Sequence, residues 1–281
     1  MFRVRWCAAF CLFLAGLMFA PLVSGQPVNR TSSCELQSVL DLSGVWAMVQ
    51  ITSETVQIPI VGERTRTTAA RLRLIIEQKD DDLLVLGTHC ATSIDDGTGM
   101  VNTTIPDAFL RALGVAERTG HVELMSDTDR STDKPCPNIG SSYRILFPWN
   151  TQVLGARLED PDNETLPMDG ADPRVFDQDN DGHPGMTVHV EIMGLISGDV
   201  YVVQRNRNRL IGTVVSPGLI RGTIEWESEQ VILGSSNPFL ESGGQGTPDP
   251  DPQRNFFLAK RVSPLLDCAN IEQLDLLLLG D

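Results

Sequence analysis

Histidine is scarce in this chain, with only His89, His121, His183 and His189. None of the four sits in an H-x-H or H-E-x-x-H pattern, which removes the common zinc-hydrolase arrangement. No G-x-S-x-G stretch is present to place a serine nucleophile on a strand-to-helix turn. Beyond the first 25 residues, the cysteines include no closely spaced pair of the kind that holds zinc. Positive charge is also short: 37 acidic residues face 22 basic ones, for a net charge of −15. Such a surface repels nucleic acid and anionic membranes, so neither is expected as a partner. No fixed-period repeat is visible, and helical periodicity is rare. Beyond the first 25 residues, no apolar run approaches the roughly 20 residues of a membrane-spanning helix.

What is present begins with a three-part leader. Arg3 and Arg5 precede the uncharged run "CAAFCLFLAGLMFA", and "PLVSGQ" follows with small residues. This is the layout of a secretory signal peptide, with cleavage expected near Gly25. Residues 26–281 are then expected to form one extracytoplasmic domain, periplasmic or secreted. Loss of the two leader arginines makes it more acidic still.

Cys34, Cys90, Cys136 and Cys268 remain after the leader. An even number of cysteines in an oxidising compartment points to disulfides, and four allow three connectivities. Cys34 with Cys268 is the preferred pairing, because these positions flank the body of the domain. Cys90 with Cys136 follows by elimination.

The body reads as mainly β: an antiparallel up-and-down barrel or sandwich of about 10–12 strands, with one or two short helices. The stretch "LRLIIEQ-KDDD-LLVLGTHC" joins two β-rich runs across an acidic turn. "YRILF-PWNT-QVLGARL", "DVYVVQ-RNRN-RLIGTVV" and "LIRGTIEW-ESE-QVILGSS" read as hairpins by the same pattern. "GVWAMVQIT", "VQIPI", "GMTVHVEIMG" and "NFFLAKRV" supply further strands. Helix is expected at Ile105 to Val115, in "SSCELQSVLDL", and in the tail "CANIEQLDLLLLG", whose leucines are expected to cover an end of the sheet. Two irregular tracts interrupt the strands. Glu159 to Asp181 carries nine acids and one base, Arg174, and extends to Gly185. It reads as too polar to contribute to a core. Glu241 to Arg254 is a Gly/Pro-rich loop.

Within the first tract, Phe176 to Gly185 reads "FDQDNDGHPG". Aspartates at alternate positions of a tight loop can converge on one hard cation that takes oxygen ligands. Asp177, Asp179 and Asp181 hold positions 1, 3 and 5, Gly182 the sharp turn at position 6, and His183 position 7, where its carbonyl is the ligand. The stretch resembles the calcium loops of the EF-hand and thrombospondin type 3 class over about ten residues. That resemblance implies Ca2+ in a structural role. Position 12 is Val188 instead of glutamate, so the remaining ligand falls to Glu191, Asp172 or Asp169. The competing reading is a solvated acidic turn.

Just after this loop, Thr187, His189 and Glu191 share one face of a strand, and Met186, Val188, Val190 and Ile192 the other. His189 and Glu191 could act as a base and its partner if that face lined a cleft. A solvent-facing strand surface is the simpler reading. "DLSGVWAMVQ", Asp41 to Gln50, resembles the G-x-W opening of lipocalin-type barrels, with Gly44 and Trp46 in the matching places. The resemblance implies an arginine closing over the tryptophan, for which Arg261 is the candidate. It also implies an interior that holds a small apolar ligand. The expected role is therefore binding or structural and not catalytic, with a calcium-stabilised hydrolase or a passive envelope component as alternatives.

Overall fold

A computed structural model describes residues 40–58, 60–125, 142–241 and 245–277. They fall within a compact unit, Ser38–Asp281. The leader, Cys34, Cys136 and most of "SSCELQSVLDL" lie outside the described residues.

Eleven strands form one antiparallel sheet: β1 (Gly44–Ile58), β2 (Gly62–Lys79), β3 (Asp82–Asp95), β4 (Val101–Thr104), β5 (Val115–Met125), β6 (Ser142–Leu154), β7 (Met186–Ile192), β8 (Ile196–Ser216), β9 (Leu219–Ser235), β10 (Thr247–Pro248) and β11 (Phe256–Arg261). The main path pairs β1, β2, β3, β5, β6 and β8 in chain order, and β9 and β11 lead back to β1. Because β8 also pairs with β9, the meander curls into a partial ring. It is not a regular barrel, since β7 and β4 run on past it from the edge of β8. Among the described residues, the α-helices are two short ones, α1 (Asp107–Ala112) and α2 (Cys268–Glu272).

Three expected hairpins are single strands. β8 runs unbroken for 21 residues through "RNRN", and β9 for 17 through "ESE". These polar stretches keep the period of two, with their arginines and glutamates facing outward and Asn206 and Ser228 facing the cavity. Arg205, Arg207 and Arg209 stand opposite Glu229, Glu227 and Glu225. Each makes an ion pair, at 3.3 Å for Arg207–Glu227 and 2.6 Å for Arg209–Glu225. Opposite charges across a ladder favour pairing, so the charged run extends the strand. β6 likewise passes through Pro148, with a register shift between Phe147 and Asn150. Arg118 of β5 fills the irregularity, donating to the Pro148 carbonyl at 2.7 Å and the Asn208 carbonyl at 2.8 Å. Burial lowers its pKa to about 10, which leaves it cationic at neutral pH.

The inner face has three layers. At the floor, Trp46 and Phe257 are fully buried among Leu72, Leu74, Ile145 and Leu210. Trp46 Nε1 donates to the Leu42 carbonyl at 2.9 Å. The Arg261 guanidinium lies 4.9 Å from the Trp46 ring centre and donates to the Ser43 and Asp41 carbonyls, so the contact expected of these residues is present. A Cβ on Gly44, at φ +134°, would come within 3.1 Å of this guanidinium. Above the floor, β1, β8 and β9 turn polar, with Gln50, Thr52, Asn206 and Ser228. The inner face then becomes apolar again at Val56, Val202 and Ile232, where Phe109 of α1 and Leu240 pack.

The described disulfide joins Cys90 to Cys268, which corrects the expected pairings of Cys34 with Cys268 and Cys90 with Cys136. Closeness to the two ends of the chain gave no guide, because the C-terminal segment folds back to β3. Ile271 and Leu276 pack against Ala47, Val49 and Leu258, so the tail covers the outer face of β1 and β11 and not an end of the sheet.

Replacing Trp46 by alanine should cost about 3–5 kcal/mol. Arg261→Met should cost less, about 1–2 kcal/mol for the lost stacking and carbonyl contacts. Urea denaturation of both variants checks the order, and a larger loss from Arg261→Met would contradict this account of the floor.

Candidate functional site

The aspartate loop is held by backbone packing at both ends. Gly155, just after β6, and Gly185, just before β7, both have positive φ. A Cβ on Gly185 would sit 2.3 Å from the Val202 carbonyl oxygen, and one on Gly155 would sit 2.8 Å from the Gly185 Cα. Only glycine allows the two loop ends to meet over β8. Phe176 N–H donates to the Gly155 carbonyl and Gly185 N–H to the Phe176 carbonyl, each at 3.1 Å. Gln178 adds a side-chain link, its Oε1 accepting from Gly155 N–H at 2.7 Å.

The acidic tract between these ends does contain a small core, contrary to expectation. Leu166 is fully buried with Ala156 and Val203, and Val175 and Leu233 pack around them. Arg205 reaches from β8 to the Pro161 and Glu164 carbonyls at 3.1 and 2.7 Å. Arg174 binds Glu164 at 2.8 Å and Asp172 at 2.7 Å. Two arginines and one leucine thus fasten a segment whose composition alone reads as unanchored.

Asp177, Asp179 and Asp181 bring one ligand atom each to within 4.8 Å of one another. Asp177 accepts from Asp181 N–H at 3.1 Å and Gly182 N–H at 2.9 Å. Burial works to raise its pKa, but these backbone donors hold it below the usual carboxylate value. Asp181 accepts from His183 N–H at 2.8 Å and from the Thr187 hydroxyl. Asp179 is buried, 8 % exposed. Its Oδ2 accepts from Thr187 N–H at 2.9 Å, while its Oδ1 is buried with no hydrogen-bond partner. Burial first, then the neighbouring Asp181 and Asp177 charges, push its pKa up. Positive φ at Asn180 and Gly182 supplies the sharp turn. The residues therefore fit a hard cation, with one buried carboxylate oxygen that the protein itself leaves unsatisfied.

The His183 imidazole stacks on Tyr201, with ring centres 4.1 Å apart and planes 10° apart. None of the three candidates for a remaining ligand joins the cluster. Asp172 is engaged by Arg174, Asp169 accepts from Ala171 N–H at 2.9 Å, and Glu191 lies farther along β7 opposite Ser197 and Asn102. Thr187 was placed with His189 and Glu191 by alternation, yet its contacts are with Asp179 and Asp181.

His189 does find partners, though not Glu191. Its Nδ1 lies 2.8 Å from Asp199 Oδ1 and its Nε2 lies 3.2 Å from Ser197 Oγ. The order is that of a nucleophile, a base and an orienting carboxylate. The row lies on the outer face of β7 and β8, with His189 and Asp199 side chains 42 % and 45 % exposed. The neighbouring Val188, Val190 and Ile192 face the interior instead. Cross-strand register brings these three residues together, and that register has no local signal in the sequence.

The ring encloses a cavity of about 370 Å³. Gln50, Thr52, Gln204, Asn206 and Ser228 line one part of it, and Val56, Leu154, Val202, Phe109 and Leu240 the other. Glu54 and Arg66 form an ion pair in its wall at 2.7 Å. His89 also lines it, and burial lowers the His89 pKa. Compared with protein-family models, curated proteins and solved structures, the chain matches none.

The Asp172 carboxyl is held down to about 2, first by the side-chain hydrogen bonds of Arg174 and then by its backbone N–H. Its contribution to stability is therefore complete above the ordinary value of 3.8 and is lost as pH falls to about 2. Asp172→Asn should lower the thermal midpoint at neutral pH, and the gap from the parent should close across that window. A gap that persists at the acid end would contradict the Arg174 pairing.

Proposed function

We propose that this chain is an exported, non-catalytic binding protein, with one structural calcium ion in the aspartate loop and a small ligand inside the ring. The buried, unpartnered Oδ1 of Asp179 is the observation that carries the metal assignment. Three carboxylates so close together repel one another, and a divalent cation turns that repulsion into attraction. Calcium suits the set better than its competitors. Magnesium keeps more of its water and zinc favours nitrogen and sulfur ligands. The packing of the loop ends against β8 gives the ion a structural task, tying residues 159–185 to the sheet. The EF-hand-like spacing and the lipocalin-like floor of Trp46 and Arg261 support this reading by likeness of parts. The disulfide between Cys90 and Cys268 suits an oxidising compartment and so supports export. Among the described residues, no helix is long and apolar enough to cross a membrane.

A hydrolase is the second reading, favoured by the Ser197–His189–Asp199 row. It lacks a walled substrate site, since the cavity opens on the opposite face of β7.

Calcium at about 100 times its dissociation constant should stabilise the folded chain by about 2.7 kcal/mol. Thermal unfolding with calcium, with magnesium and with chelator reads this directly. The calcium midpoint should be highest, and Asp179→Asn should abolish the shift. A midpoint indifferent to calcium would overturn the metal assignment and return the loop to an acidic turn.

A further inference from the structure

We infer that the ligand of the ring is a neutral amphiphile, with an uncharged hydrogen-bonding head held at the polar layer and an apolar tail beneath α1. This rests on the proposal that the cavity is a ligand site, and it names the chemistry of the occupant.

The inner end offers amide groups that the protein does not saturate. Gln204 Nε2 donates to Asn206 Oδ1 at 3.0 Å and to Ser228 Oγ at 3.1 Å, and Ser228 Oγ donates to the same Asn206 oxygen at 3.0 Å. Among the described residues, Asn206 Nδ2 has no acceptor and Gln204 Oε1 no donor. One donor and one acceptor therefore stand side by side in the cavity wall, which matches a hydroxyl or amide able to give and take a hydrogen bond. Trp226 lies alongside them, its Nε1 engaged by Asn255 Oδ1 at 2.8 Å, so only its ring is offered to the cavity.

Charge argues for a neutral head. Glu54 and Arg66 satisfy each other in the wall. Burial lowers the His89 pKa and keeps that imidazole neutral. The other charged lining residues are engaged as well, Asp96 by the Thr98 hydroxyl and the Gly99 and Val101 N–H groups and Arg207 by Glu227. An ionised head would therefore find no free counter-charge, and an unpaired buried ion is strongly disfavoured. At the other end, Val56, Leu154, Val202, Phe109 and Leu240 offer only hydrocarbon. A wholly apolar ligand would strand the amides of Gln204 and Asn206 without water or partner.

The test uses the mature chain in calcium, titrated calorimetrically with 1-decanoylglycerol, decanoate and glycerol. The expected result is one-to-one binding of 1-decanoylglycerol, decanoate weaker by about tenfold or more, and no measurable binding of glycerol. Asn206→Leu should weaken 1-decanoylglycerol roughly three- to tenfold. If that variant does not fold, Gln204→Met removes the acceptor instead, with the same expectation. Decanoate binding as tightly as the glyceride would overturn the neutral head while leaving the ring as a ligand site. Glyceride binding undiminished in a folded variant would also overturn the inference, because the head would lie elsewhere. Failure of both amphiphiles to bind would overturn this inference and the ligand site together.

Discussion

The ladder between β8 and β9 is the constraint on which the molecule depends. It joins the ends of the meander, and its register puts three arginines opposite three glutamates on the outer face. The same register sets Asn206 beside Ser228 on the inner face, while the β7–β8 ladder, which pairs Met186 with Val202, sets Gly185 against the Val202 carbonyl. The closure of the ring, the polar layer of the cavity and the anchor of the aspartate loop are thus consequences of the pairings of one strand, β8. β8 can serve all three because it is long. β7 and β6 share one of its edges, and β9 takes the other.

Charge is managed differently in the three places where it gathers. On the β8–β9 surface it is paired across strands, an arrangement of modest energy that chiefly selects register. In the acidic tract, Arg174 and Arg205 bind carboxylates and carbonyls and fasten an otherwise polar segment around Leu166. Among the described residues, no arginine or lysine side chain pairs with the aspartates of the loop. Backbone N–H groups and Thr187 orient the carboxylates, while Asp179 is buried with one oxygen unsatisfied. That combination orients the oxygens without neutralising them, as a cation site requires.

Local signals were legible in the sequence and register-dependent ones were not. The β2–β3 hairpin could be read because its acidic turn places Asp80 at φ +55°, a conformation aspartate tolerates. The aspartate cluster could be read because its carboxylates lie two residues apart. By contrast, "RNRN" and "ESE" have the composition of turns, and only their mutual alignment shows that they continue strands. β5 was missed because much of its "VAERTGHVELM" is polar and exposed. Arg174 claims Asp172 two residues away, a local contact that withdraws this carboxylate from the aspartate cluster. Ser197 with Asp199, and Cys90 with Cys268, meet their partners only through the folded sheet.

The most direct measurement is the anomalous diffraction of crystals grown in calcium. The account predicts one ion among Asp177, Asp179 and Asp181, with Asp179 Oδ1 about 2.3–2.6 Å from it and the His183 carbonyl in the same shell. A structure in saturating calcium with no ion there, or with water satisfying Asp179 Oδ1 instead, would contradict it.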